Sequence, residues 1–266
     1  MPSDIKSRFE QELETIKRQH RLGAGGLRTS AALTRRLDRF IASVYRRLTS
    51  PHKDLIAVVA LGGYGRQELC FGSDTDVMFL VGGEKEKSRA TDATKEFVRM
   101  LFDVGLSVGH SFRTIGECLE YKEADNEIWN SLLESRFVWG GKRVFTAFRS
   151  KMQVAIDRGN HPGFIGTLWN GTNLRHQKYG SSAKLLEPNV KHSAGGLRDI
   201  HTVLWLIRGT GSLKLPPVSS SQTAVRGLLD YCLKQNVFPS EFIRRALESF
   251  EFLLRVRNEM HLQSNA

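Results

Sequence analysis

The chain of 266 residues, 40% of them hydrophobic, is long and apolar enough to bury a core in one large or two modest globular domains. Its 39 Lys and Arg outnumber 28 Asp and Glu, a formal charge of +11 that attracts nucleotides, nucleic acid or an acidic protein surface and does not choose among them; scattered as they are, the cations fit a plain solvated surface equally. The widely spaced Cys70, Cys118 and Cys232, with no C-x-x-C, exclude a disulfide framework and a cysteine zinc site.

No stretch approaches the roughly 20 apolar residues of a membrane span, and the charged N-terminus carries no apolar signal core, so the expected location is the reducing cytoplasm. Residues 4–20 read as a polar helix and "RLGAGGLRTS" as a break. "AALTRRLDRFIASVYRRL" then reads as an amphipathic helix with Leu33, Leu37, Ile41, Val44 and Leu48 on one face, ended by Pro51. "DLIAVVAL" and "DVMFLV" are continuous apolar, β-branched-rich runs, the pattern of strands covered on both faces. "SRATDATKEFVRMLFDVG" predicts a helix with Phe97, Met100 and Leu101 turned inward, and "LSVGHSFRT" a third strand.

From there to the end the spacing is helical, near 116–136, 140–157, 163–178, 196–208, 221–235 and 240–262, with "KYGSSAKLLEPNVKHSAGG" and "GTGSLKLPPVSSS" as loops. The expected fold class is therefore α+β: N-terminal helices over 1–50, a small mixed sheet with flanking helices over 51–150, and a helical domain over 151–266.

Chemistry concentrates in "LGGYGRQELCFGSDTDVMFL", residues 61–80. Side chains alternate along a strand, so Asp74 and Asp76 point the same way, and their charges repel unless a cation lies between them. Magnesium suits that position, because it takes one or two carboxylates together with substrate phosphates. A bare D-x-D is also how a strand end caps a turn, but here it opens a very apolar strand directly after a glycine turn. Gly62 and Gly63 let the backbone approach phosphate oxygens, and a short helix from Tyr64 to Glu68 adds its positive end to the same spot. Arg66 is placed to reach a phosphate or to pair with Glu68, and Ser73 to hydrogen-bond at the strand entrance.

As a unit, strand, glycine turn, short helix and strand-borne D-x-D resemble the DNA polymerase β nucleotidyltransferase superfamily. More narrowly, "ALGGYGRQELCFGSDTDVMFL", "DVGLSVGHSFRTIGECLE", "LLEPNVKHSAGGLRDIHTVLWLIR" and "FLLRVRNEMHL" resemble successive blocks of the GlnD family, bifunctional uridylyltransferase and uridylyl-removing enzymes of the nitrogen regulator PII. The resemblance implies that Asp74 and Asp76 bind magnesium and the triphosphate of UTP, that Gly62, Gly63, Arg66 and Ser73 form the nucleotide turn, and that a tyrosine hydroxyl of PII attacks the α-phosphorus and releases pyrophosphate. Many superfamily members carry a third carboxylate on a later strand. The third strand here has none, and Asp199 in "GGLRDIHT" is the remote candidate, either for that role or as a cap on helix N–H groups.

Uridylyl removal in the family belongs to an HD-type domain, and these residues contain no His-Asp dipeptide; the regulatory ACT domains are absent too, so the helical part is expected to be shortened relative to the family. Two other readings stay open: a nucleotidyltransferase with a different acceptor, and a non-catalytic nucleotide-sensing or protein-binding module. Nucleic-acid binding is supported by charge alone, since basic and aromatic residues do not interleave on a strand, and it is not expected.

Overall fold

A computed structural model describes residues 2–103, 106, 108–182, 187–213, 215 and 222–264. Four strands, β1 (Ala57–Ala60), β2 (Asp76–Val81), β3 (Gly109–Thr114) and β4 (Arg136–Gly140), form one sheet in the order β3-β2-β1-β4. β1 pairs antiparallel with both β2 and β4, and β2 pairs parallel with β3, so the sheet is mixed as expected. The parallel pair needs a crossover, supplied by α4 (Glu84–Asp103).

β1 and β2 are the two central strands, and their apolar residues are buried on both sides. Val58, Ala60, Val77, Phe79 and Val81 pack with α1 (Pro2–Arg21), α2 (Gly26–Tyr45) and α4. Ala57, Val59, Met78 and Leu80 face the other way, onto α5 (Ile115–Ala124), α6 (Asn126–Leu133) and α7 (Lys142–Asp157). A third core lies apart from the sheet, built from α9 (Leu197–Thr210), α10 (Ala224–Lys234) and α11 (Ser240–Gln263) around Leu204, Val225 and Phe250. α8 (His161–Tyr179) leans on α9 and leaves Ile165, Trp169 and Leu174 exposed.

Leu33, Leu37, Ile41, Val44 and Leu48 are all buried, as are Phe97 and Leu101, while Met100 packs partly buried against the same core. Three local expectations need correction. The break before α2 is only residues 22–25, and the helix starts at Gly26, where a Cβ would lie 2.5 Å from the Arg255 backbone nitrogen; Gly26 is there for a close helix crossing, and Gly23, at φ +97°, for the turn. The span 116–136 is two helices, because Asp125 ends α5 and its side chain caps α6 through the N–H groups of Glu127 and Ile128. The helical reading beyond residue 116 also passed over β4, whose five residues "RFVWG" are too few to show a period and gain strand structure by pairing with β1.

Parts of the two predicted loops and of the predicted third strand, at 183–186, 214, 216–221 and 107, and the end of the predicted fourth helix at 104–105, lie outside the described residues. Among the described residues no helix is long and apolar enough to cross a membrane.

Candidate active site

β1 runs straight into a one-turn helix, α3 (Gly62–Gly65), two residues earlier than the sequence suggests. The cause is backbone geometry. Gly62 takes φ +53°, a left-handed conformation that other residues adopt at a cost, and a Cβ on Gly65 would lie 2.5 Å from the Glu134 carbonyl oxygen. These glycines let the chain reverse against α6 and carry the turn alongside the start of β2, where the Leu61 N–H donates to the Asp76 carbonyl (3.0 Å).

Asp76 is the first residue of β2, and Asp74 lies in the extended segment just before it; both are exposed at the end of the sheet. A Cβ on Gly62 would sit 3.4 Å from Asp76 Oδ2 and one on Gly109 only 2.7 Å from Oδ1, so the carboxylate is cradled between two glycines. Gly109 is the register partner of Asp76 on β3, and no larger residue fits there without moving the carboxylate. Partial desolvation by the surrounding sheet end, which leaves the side chain open to solvent, and then the neighbouring charge of Asp74, raise the Asp76 carboxyl above its usual range; Lys191 and Arg66 pull it down by less. A carboxylate raised by the charge of a neighbouring carboxylate belongs to a donor pair that a hard divalent cation satisfies. Among the described residues no group of three or more His, Cys, Asp or Glu is placed to hold a metal ion.

Arg66 points inward. Its Nε donates to Glu68 Oε2 (2.7 Å) and its Nη1 to Glu134 Oε2 (2.5 Å), all three side chains being buried. Glu68 also accepts from His201 Nε2 of α9 (2.7 Å), and Glu134 from the Trp205 indole N–H (2.5 Å). Burial, followed by the charge of Arg66, drives the His201 imidazole down to about 3, so it is neutral and donates through Nε2 while Nδ1 has no partner. Of the two roles open to Arg66, pairing with Glu68 is the one its Nε makes, and its remaining nitrogen, Nη2, lies beside Gly63.

Ser73 closes the turn that precedes the pair: its Oγ accepts from the Cys70 N–H and its own N–H donates to the Cys70 carbonyl, both at 3.1 Å. α11 grips the same turn, with Asn258 Oδ1 accepting from the Phe71 N–H (3.1 Å) and His261 Nδ1 against the Phe71 carbonyl. His110, at the end of β3, is exposed and lies 3.5 Å from the Val108 carbonyl.

Asp199 sits in the first turn of α9 with both carboxylate oxygens engaged. Oδ1 accepts from Arg175 Nη2 (2.6 Å) and His176 Nε2 (2.9 Å) of α8, and Oδ2 from the Gly195 N–H (2.7 Å). These donors outweigh burial and lower its carboxyl. Among the described residues, none of the interactions that hold it comes from Asp74 or Asp76.

The residues that sequence reasoning did not single out are two cations from the helical half, Lys191 in the loop before α9 and Arg257 on α11. Both are half-buried, as is Arg198, which the sequence already places beside Asp199 in the first turn of α9. Burial, then Arg198, Arg257 and Arg66, push the Lys191 ammonium down to about 8 against the pull of Asp74. Two of the blocks that carry the GlnD resemblance contain these three residues, which was the available signal.

Residues 164–266 match the family model described as GlnD PII-uridylyltransferase. The chain is 32% identical over 209 residues to the bifunctional uridylyltransferase/uridylyl-removing enzyme of Azospirillum brasilense, covering 77% of this chain and 22% of that protein. It is 36% identical over 169 residues to the enzyme of the same description from Novosphingobium aromaticivorans (64% and 18%) and 38% over 207 residues to that of Thiobacillus denitrificans (77% and 23%). The chain thus spans about a fifth of the length of these curated relatives. With most of its length aligned to them, the chain belongs to the GlnD-type uridylyltransferase family.

Proposed function

We propose that this chain is a nucleotidyl-transferring part of a GlnD-type enzyme, which with magnesium transfers UMP from UTP to a tyrosine of a PII-type protein and releases pyrophosphate. The observation that carries the reading is the Asp74/Asp76 pair held at the sheet end beside the left-handed Gly62 turn, with the Lys191 ammonium near enough to feel their charge. In this reading Asp74 and Asp76 hold the metal, and Gly62 and Gly63 let backbone N–H groups approach the phosphates. Ser73 and the Arg66 network fix the two ends of the loop between them. Magnesium, when bound, would neutralise the carboxylates and phosphates and lower the pKa of the attacking hydroxyl. The tyrosine oxygen bonds to the α-phosphorus as the bond to the β-phosphate oxygen breaks, and the hydroxyl proton leaves to solvent or a carboxylate. The sheet-bearing part, 51–150, carries the reaction, with the helices of 1–50 behind it and those of 151–266 facing it.

The test is transfer of label from UTP, ATP, CTP or GTP to PII, run beside thermal melting with and without magnesium and nucleotide. Wild type is expected to label PII from UTP and to melt higher with both ligands present. Asp74→Asn and Asp76→Asn are expected to lose transfer by several orders of magnitude. Because Asp76 is raised in the fold, its charge destabilises the folded state above that pKa, and apo Asp76→Asn should melt at or above wild type. Pyrophosphate release without PII would move the reading to another acceptor, nucleotide binding without turnover to a binding module, and no ligand-dependent shift at all would end it.

A further inference from the structure

Three contacts bring the helical half to the rim of the carboxylate pair. α9 docks on α3 and α6 through His201 to Glu68 (2.7 Å) and Trp205 to Glu134 (2.5 Å). The loop before α9 folds back on that helix, the Leu197 and Arg198 N–H groups donating to the Val190 and Lys191 carbonyls at 3.0 and 2.9 Å. α11 is tied by Asn258 to Phe71, three residues before Asp74. Lys191 and Arg257 are therefore carried to the same place by a loop and a helix that are distant in sequence.

Neither has an anionic partner among the described residues. Among the described residues the Lys191 ammonium and the Arg257 guanidinium make no hydrogen bond and no ion pair within 4.0 Å, although acidic side chains satisfy Arg66, Arg136 and Arg175 nearby in the fold. Half-buried cations that repel one another are unfavourable unless an anion joins them. Asp74 and Asp76 do not fill that role within 4.0 Å, and with a divalent cation between them they would have less charge to offer.

We propose that Lys191 and Arg257 form a polyphosphate subsite, gripping the phosphates of the nucleotide that are not transferred, so that the ligand is held between the sheet and the helical half. The proposal deepens the reading given above and rests on it for the identity of the nucleotide, while the subsite itself is tested without any transfer reaction. Two cations on separate elements suit a chain of phosphates better than a single phosphate, because each contacts a different group. Arg198 lies beside them with its guanidinium 4.9 Å from the Trp205 ring, a contact that holds it in place.

The probe is inorganic tripolyphosphate, titrated calorimetrically into the full chain at fixed ionic strength, with wild type, Lys191→Met, Arg257→Met and Lys191→Arg compared. Wild type is expected to bind, each Met variant to bind about 10-fold more weakly, and Lys191→Arg to stay near wild type, as the loss of a charge-assisted contact predicts. Melting curves check that each variant folds; if Lys191→Met does not, Arg257→Met and Lys191→Gln carry the same comparison. No binding by wild type, equal binding by folded neutral variants, or tighter binding of a short single-stranded oligonucleotide would each overturn the proposal. Tripolyphosphate binding with no label on PII would sink the uridylyl-transfer reading and leave the subsite standing, and labelled PII with no effect of the variants would do the reverse.

Discussion

Asp199 accepts from three donors on α8 and the preceding loop, so at the residue scale its replacement separates two roles. Its folded pKa is lowered, so it contributes stability that is present above the unfolded carboxylate value and lost as pH falls through the folded one. Asp199→Asn leaves Arg175 with weaker pairing and should cost about 1–3 kcal/mol at pH 7, with a smaller penalty at pH 3, measured by urea denaturation at both values. Transfer by this variant, assayed below its melting temperature, is expected to fall far less than in Asp76→Asn. A folded, wild-type-stable Asp199→Asn with no transfer would instead make this residue the third carboxylate. The two aspartates of the D-x-D segment differ as well: Asp76 is fixed by strand register over Gly109, whereas Asp74 depends on the turn that Ser73 and Asn258 hold.

At the element scale the junction of α3, α6 and α9 is a buried polar network. Arg66 lies between two carboxylates, and its positive charge compensates both; burial works against its charge, but Glu134 and Glu68 hold its pKa above the ordinary value. Removing the guanidinium would strand two buried acids, the situation in which breaking a buried pair costs about 3–5 kcal/mol. Arg66→Met is therefore expected to lose about that much stability in urea denaturation, and Arg66→Met/Glu68→Gln/Glu134→Gln to recover most of it, because no buried charge is left unpaired. An exposed phosphate-contacting arginine would behave otherwise, losing ligand binding with little change in the midpoint. Next to the network, Gln67 has a left-handed backbone at φ +62°, and its side chain donates to the Gln222 carbonyl (2.6 Å), tying the turn after α3 to the N-terminal side of α10.

Over the whole molecule, three cores meet around one acidic spot on a basic protein. The sheet is enclosed by helices on both faces, and the helical core approaches its open end, where the aspartates lie. The family relatives are described as both adding and removing uridylyl groups, and this chain contains no His-Asp dipeptide for the second activity. Highly purified protein incubated with uridylylated PII is expected to release no UMP above background. Release that persists in Asp74→Asn would show a hydrolytic site among these residues that the sequence does not reveal.

The extent and character of β2 were written in the sequence, because a strand covered on both faces must be apolar throughout, and "DVMFLV" matches its six observed residues. The faces of α2 and α4 were legible for a similar reason: burial of one stripe imposes a period on the residues. Asp74, Asp76 and the Gly62-Gly63 turn could be picked out because they are neighbours in the chain. β4 could not, since five residues become a strand through their pairing with β1 rather than by any pattern of their own. Nor could the inward turn of Arg66, whose partner Glu134 stands 68 residues away and whose partner Glu68 is itself held by His201, 133 residues further on. Lys191 gains its place near Asp74, and Arg257 its place near Lys191, the same way. Charge is visible in a sequence, but which charges share a dielectric pocket is decided by packing between elements, and that only the tertiary structure supplies.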